Sequence, residues 1–227
     1  ALVTISVVAY RSGALHNIKE LTDLVRTSGA LMVWDASHAV GAVDMQFDRD
    51  GVDLAVGCTY KYGNSGPGSP AWLYVSKRIQ SELQMPIQGW FAQRNQFLMG
   101  SKFDQIEGMR GFQIASPSII GLLCIDEGFG MIENATIAQI NTKASKGTDM
   151  MIELFDQWLV PLGFELVTPR DSKLRGGHIS IYHPDAAQIA RGLRDEMKVI
   201  PDYRAPNSIR LAISPLPTSY VEVFDGF

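Results

Sequence analysis

Residues 31–75 read LMVWDASHAVGAVDMQFDRDGVDLAVGCTYKYGNSGPGSPAWLYV. Three apolar runs of strand length punctuate this stretch: Leu31 to Trp34, stopping at Asp35; Asp53 to Cys58; and Ala71 to Val75. Between the second and third lies a tyrosine–lysine–tyrosine triplet and then a glycine-rich turn, Gly63 to Gly68. A lysine that needs only solvent belongs on a helix face or a loop tip. Lys61 instead lies where the chain leaves one buried strand and enters the next, and that position asks for a chemical reason.

Upstream, residues 2–10 are β-branched and apolar, as expected for a strand buried on both faces. Asn17 is placed to cap a helix, with Glu20 three residues on as in a capping box. Leu21, Leu24 and Val25 give that helix an apolar stripe, and Gly29 ends it. Strand, helix, strand at this spacing is a βαβ unit and argues an α/β fold with a mainly parallel sheet and flanking helices. The run at 71–75 is open to an antiparallel reading, because the turn before it is short.

From about Pro117 the character changes. Residues 118–133 and 136–159 read as helices. Short strands follow at 164–168, 178–182, 199–203 and 209–213, with a helix at 185–197. This suggests a smaller C-terminal α+β domain. The expected organisation is a large α/β part over 1–116, a bridging helical segment over 117–145 and the small domain over 146–227.

The chain has 227 residues, 46% hydrophobic, with a formal net charge of −4. The balance is mildly acidic and no basic run stands out, which argues against nucleic acid or an anionic membrane as partner. Cys58 and Cys124, the two cysteines, each sit inside an apolar run without a CxxC partner. That argues against a disulfide scaffold and for a reducing, cytoplasmic setting. No apolar run approaches the length of a membrane span and no signal peptide is visible. The opening ALVTISVVAY lacks a methionine and begins inside a strand, and the closing SYVEVFDGF reads as a helix barely begun. The expectation is a piece of a longer protein.

In open α/β sheets, ligands bind beyond the carboxyl ends of the strands. Asp35 ends one strand, Lys61 follows another, and His38 is three residues past Asp35. One arrangement uses all three. A lysine forms a Schiff base with pyridoxal phosphate, a carboxylate keeps the pyridinium nitrogen protonated, and a histidine packs against or bonds the ring. Tyr60 and the glycine-rich amides are then candidates for the phosphate. Each residue alone has a plainer reading. Asp35 can cap the DASHAVG segment, Lys61 can be a snorkelling strand-end lysine, and His38 can be structural. The glycine turn is neither GxGxxG nor a Walker motif. His16, His178 and His183 lack a metal-ligand pattern and read as structural.

The combination WDxxHxxGA, CTYKYxNxGPG, GWF at 89–91 and DYRxPxxIR at 202–210, with FQIASPSI at 112–119, resembles the kynureninases. These are pyridoxal-phosphate hydrolases of fold type I in the class V aminotransferase group, and the resemblance covers nearly the whole chain. It implies hydrolysis of L-kynurenine or 3-hydroxykynurenine to anthranilate, or its hydroxy form, and L-alanine. It places the chain in tryptophan catabolism and NAD biosynthesis, with a homodimer sharing active sites across its interface. It makes Lys61 the Schiff-base lysine, Asp35 the pyridinium partner and His38 the histidine near the ring. Tyr60 becomes a phosphate contact implicated in proton transfer, Ser6 a cofactor-contacting serine, Trp90 a phosphate contact across the interface and Arg210 the holder of the substrate carboxylate. Ser116 stands where relatives carry Asn or Thr, Ala115 where some have serine, and Gly63 where leucine is usual. The last departure is expected to loosen the turn beside Lys61. The family's glycine-rich phosphate loop and ring-stacking aromatic are not found in this sequence. Two rivals stay open. One is another class V reaction, that of a desulfurase or an aminotransferase, the desulfurase being disfavoured because both cysteines lie in apolar elements; the other is an inactive piece that serves only dimerisation.

Overall fold

The computed structural model describes residues 1–227. Strand β1 (Leu2–Ser6) leads into helix α1 (Ile18–Thr27), followed by β2 (Leu31–Asp35), β3 (Leu54–Gly57) and β4 (Trp72–Val75). These strands form one sheet in the order β1-β2-β3-β4. β1 pairs parallel with β2, β2 parallel with β3, and β3 antiparallel with β4. The connection from Gly57 to Trp72 runs through turns and bends without a crossover helix, and it returns the chain antiparallel alongside β3.

Two sequence readings are corrected here. The first strand ends at Ser6 rather than running to residue 10. Val7 and Val8 leave the sheet but stay buried in the core, and Val8 bridges Leu15 instead. As an edge strand, β1 leaves Leu2 62% exposed. In α1 the buried face is Ile18, Thr22 and Val25, while Leu24 points outward at 66% exposure. Thr22 is buried because its hydroxyl accepts the Trp34 indole N–H at 2.9 Å, satisfying a polar group in the core. Asn17 does cap α1, accepting from the Glu20 backbone N–H.

Beyond a loop region, α2 (Ile119–Ala135) and α3 (Ile137–Leu154) follow, the latter running on into a π-helical turn at Phe155–Leu159. The rest alternates β5 (Glu165–Leu166), β6 (His178–Tyr182), α4 (Ala186–Asp195), β7 (Asp202–Arg204), β8 (Ser208–Ala212) and α5 (Tyr220–Gly226). This second sheet has the order β5-β6-β8-β7 and every pair in it is antiparallel. Each sheet has its own core. The first is built around Met32, Trp34 and Ala55; the second around Phe155, Ile179, Ile209 and Ile213.

The two sheets are joined by backbone hydrogen bonds near the top of β1. Leu15 N donates to Leu174 O at 2.9 Å, and Gly176 N to Gly13 O at 2.9 Å. The Arg175 side chain, fully buried, anchors that junction to α3 by donating from Nε to the Thr148 hydroxyl at 2.9 Å and pairing with Asp149. The carboxyl ends of β1, β2 and β3 therefore face the second sheet across a cleft. No helix is long and apolar enough to cross a membrane.

Candidate active site

Ser6 and Asp35 end their strands as direct register partners. The Ser6 hydroxyl donates to Asp35 Oδ2 at 3.4 Å, and the Ser37 backbone N–H donates to Oδ1 at 2.9 Å. The second contact is the turn-capping role that the DASHAVG pattern allows, and it leaves the other carboxylate oxygen facing Ser6. Burial pushes the Asp35 carboxyl up. Hydrogen bonds from Ser37 and Ser6 and the nearby His38 outweigh that, so the group sits below its ordinary value and is ionised.

His38 and Lys61 meet across the same edge. Lys61 Nζ lies 3.1 Å from His38 Nε2. Burial, then Lys61 and Arg210, push the His38 pKa down to about 4 against the opposing pull of Asp35. The imidazole is thus neutral at pH 7 and accepts from the lysine amine.

The turn carrying Lys61 is tightly held. Asn64 N donates to Lys61 O at 3.0 Å, and Ser65 N to Thr59 O at 3.2 Å. A Cβ at Gly63 would come within 2.4 Å of the Thr59 carbonyl, and one at Gly128 within 2.5 Å of the Gly63 carbonyl. Helix α2 therefore presses its backbone against the turn at Gly128, whereas Gly63 is required by the turn's own closure on the Thr59 carbonyl. The sequence led us to expect Gly63 to loosen the turn; its missing Cβ instead lets the turn close on the Thr59 carbonyl.

Arg210 comes from the second sheet. It stands opposite Asp202 in the β7–β8 register, donates from Nε to Asp202 Oδ2 at 2.7 Å and pairs with the same oxygen through Nη2. Its Nη1 donates to the Tyr10 carbonyl at 2.8 Å. Three of the five guanidinium N–H groups are engaged and two remain. Lys61, His38, Tyr62, His178, Asp202 and Arg210 share one cavity of about 360 Å³. Within it, burial pushes the Tyr62 hydroxyl up.

The remaining expected residues lie elsewhere. Tyr60 has its ring 6.0 Å from Lys61 Nζ but is 52% exposed and outside the cavity wall. Trp90 is 44% exposed, stacks edge-on against Phe91 at 4.8 Å and borders a separate surface cavity with Met99 and Phe103. Its segment folds on itself through the Gln93–Gln105 bridge and the Arg94–Asp104 ion pair, which keeps the indole away from Lys61. Ser116 is exposed. Asp202, a turn residue by sequence, holds both Arg210 and Arg204. His16 bonds the Ser6 carbonyl at 2.9 Å, and His183 stacks on Phe164 at 4.5 Å, as structural histidines do. His178 differs, because it lines the cavity. A lone histidine opening a strand carries no motif, so the sequence reads it as structural.

Residues 140–227 match the family described as the kynureninase C-terminal domain. Kynureninase from Pseudomonas fluorescens is 36% identical over 226 residues, covering 100% of this chain and 54% of that protein. The similarity to kynureninases extends over the whole of this chain. The chain spans about half the length of the curated kynureninases it matches. Among solved structures, a cysteine desulfurase from Thermococcus onnurineus NA1 superposes with a TM-score of 0.80 at 20% identity, covering 99% of this chain and 58% of that one. A C-DES mutant with glycine covalently linked to its PLP cofactor superposes with a TM-score of 0.83 at 16% identity, covering 98% and 58%. At such identities these two speak for the fold alone, which this chain shares with them.

Proposed function

We propose that the protein bearing this chain hydrolyses the Cβ–Cγ bond of L-kynurenine or 3-hydroxykynurenine. Water is consumed, and anthranilate or 3-hydroxyanthranilate leaves with L-alanine. The cofactor is pyridoxal 5'-phosphate, and the setting is cytoplasmic tryptophan catabolism that feeds NAD biosynthesis. The observation that carries this reading is the convergence of Lys61, His38 and Arg210 on one cavity, with ionised Asp35 at the same sheet edge, in a chain 36% identical to a kynureninase.

The donor set suits the cofactor and the substrate. An amine, an ionised carboxylate fixed by two hydrogen-bond donors and a guanidinium match an aldehyde, a pyridinium nitrogen and a carboxylate. When bound, pyridoxal phosphate supplies an electron sink for the bond changes at the substrate Cα. Lys61 is the residue that holds it covalently, and its freed amine takes the Cα proton. His38, being neutral, accepts from that amine and orients it without adding charge. Asp35 keeps the ring nitrogen protonated, and Ser6 steadies Asp35. The two unengaged N–H groups of Arg210 hold the substrate carboxylate.

Tyr60, Trp90 and Ser116 serve the phosphate, and Tyr60 proton return, once the rest of the protein and a second copy surround them. The exposed apolar face of α2, with Ile120 77% exposed, supports a homodimer. Residues 1–116 are part of the cofactor-binding domain, 117–145 bridge, and 146–227 form the small domain. The fold is also that of a desulfurase, but Cys58 and Cys124 do not line the Lys61 cavity, which disfavours persulfide chemistry. Incubating the full-length protein with cofactor and L-kynurenine should yield anthranilate fluorescence and L-alanine in equal amounts. Alanine release from L-cysteine, with none from kynurenine, would instead favour the desulfurase reading.

A further inference from the structure

Asp202 opens β7, and Arg210 stands opposite it in β8 as a direct register partner. Side chains of such a cross-strand pair share one face of the sheet. The two carboxylate oxygens of Asp202 are used unequally. Arg210 Nε donates to Oδ2 at 2.7 Å, Arg210 Nη2 pairs with the same oxygen, and Arg204 Nε donates to it at 3.1 Å. No side-chain or backbone donor engages Oδ1. The Asp202 side chain is 44% exposed, and the side-chain polar atoms that are both buried and unpaired are Trp72 Nε1 and His178 Nε2. Oδ1 is therefore unpaired and accessible, on a residue that lines the Lys61 cavity.

No other group in the cavity wall can do what Oδ1 can. Asp202 is the one carboxylate among the lining residues, and Lys61 and Arg210 bring two cations. His38 Nε2 is taken by the Lys61 amine at 3.1 Å, and the Ser214 hydroxyl donates to Asn64 Oδ1 at 3.4 Å. Tyr62 and Thr218 add only neutral hydroxyls. An ammonium group entering between Lys61 and Arg210 is repelled by both unless an anion stands beside it. In a free α-amino acid the ammonium and the carboxylate sit on one carbon, so their partners must be neighbours of opposite sign. Arg210 and Asp202 are such neighbours.

We propose that Asp202 is a ligand-contacting residue of this cavity, its Oδ1 accepting a hydrogen bond from the α-ammonium group of the incoming amino acid while Arg210 holds the carboxylate. The pair reads the zwitterion before its nitrogen is committed to the cofactor. The proposal rests on the proposed function only for the class of ligand, an α-amino acid. Asp202 tells that class from a carboxylic acid of the same shape, because the acid gives Oδ1 no donor and sets nothing against its negative charge.

Two ligands and one variant test this in the full-length protein loaded with cofactor. N-methyl-L-alanine carries both charges but, as a secondary amine, docks without displacing Lys61. 2-Methylbutanoate has the same shape with a methylene in place of the ammonium. Asp202→Asn keeps a carbonyl oxygen for the guanidinium donors and so turns its NH2 to the position of Oδ1. By calorimetry, wild type should bind N-methyl-L-alanine about tenfold more tightly than 2-methylbutanoate, and D202N should lose about that factor for the first ligand while keeping its affinity for the second. Equal affinities in wild type would overturn the proposal. So would equal losses for both ligands in D202N, since Asp202 would then act only by orienting Arg210. Independently of the variant's folding, a crystal structure of wild type with N-methyl-L-alanine should place the ligand nitrogen within hydrogen-bonding distance of Asp202 Oδ1. A nitrogen turned away from that oxygen would overturn the proposal as well. Failure to cleave kynurenine would count against the substrate assignment alone, and the two titrations would still decide the role of Asp202.

Discussion

His38 Nε2 lies 3.1 Å from Lys61 Nζ, joining the end of β2 to the turn after β3. The contact requires a neutral imidazole, and the environment of His38 supplies one: its pKa is pushed down to about 4 by burial and by Lys61 and Arg210. Replacing His38 by Phe should leave the fold intact and lower kcat by about 10- to 100-fold through loss of amine orientation, a range typical of positioning effects. Single-turnover kinetics with L-kynurenine would measure it. A kcat equal to wild type would show that the 3.1 Å contact has no part in turnover.

The same two histidines make the protein acid-sensitive in a defined window. His38 and His178 titrate near 4 when folded, against 6.5 for the unperturbed side chain. Between those values the unfolded chain binds more protons, so stability falls as pH drops from about 6.5 towards 4. Asp35, lowered from 3.8, loses its contribution only at lower pH. Thermal unfolding midpoints at pH 7, 5.5 and 4.5 should decline steadily in wild type and decline less in His178→Gln. Parallel declines in the two proteins would remove His178 from the explanation.

The lysine turn should resist any side chain at Gly63 or Gly128, whose added Cβ atoms would meet carbonyl oxygens at 2.4 and 2.5 Å. Gly128→Ala should destabilise by about 1–3 kcal/mol, the usual cost of overpacking, and Gly63→Leu by at least as much. Chemical denaturation followed by circular dichroism reports this directly. Unchanged midpoints would mean that α2 does not press on the turn.

Arg210→Lys keeps a positive charge but removes the fork that pairs with Asp202 through Nε and Nη2. The expected result is a rise in KM for L-kynurenine of at least about tenfold, since a lysine cannot hold Asp202 and a substrate carboxylate together. A KM within twofold of wild type would move the carboxylate site elsewhere.

The first sheet was legible because each strand ends in punctuation: Asp35 after β2, the lysine turn after β3, Gly29 before β2. What the pattern could not show was geometry set by distant packing. The apolar run at 2–10 leaves the sheet at Ser6 because Val7 and Val8 turn into the core and Val8 bridges Leu15. The stripe of α1 falls on Ile18, Thr22 and Val25 because Thr22 answers the buried indole of Trp34, a contact across sequence. Asp35, His38, Lys61 and Arg210 could be singled out through charge at strand ends and through motif likeness. His178 could not, since only the packing of the second sheet against the first brings it to the wall of the Lys61 cavity. Trp90 and Ser116 stand apart from that cavity within a single chain.

The central claim is that Lys61 is the covalent attachment point of pyridoxal phosphate. Full-length protein should be loaded with the cofactor, reduced with borohydride and mapped by peptide mass spectrometry, alongside Lys61→Ala and the neighbouring Lys77→Ala. The account predicts a phosphopyridoxyl mass on the peptide containing Lys61 in wild type and in Lys77→Ala, and no specific label in Lys61→Ala. A label at another lysine, or one that survives Lys61→Ala, would contradict it.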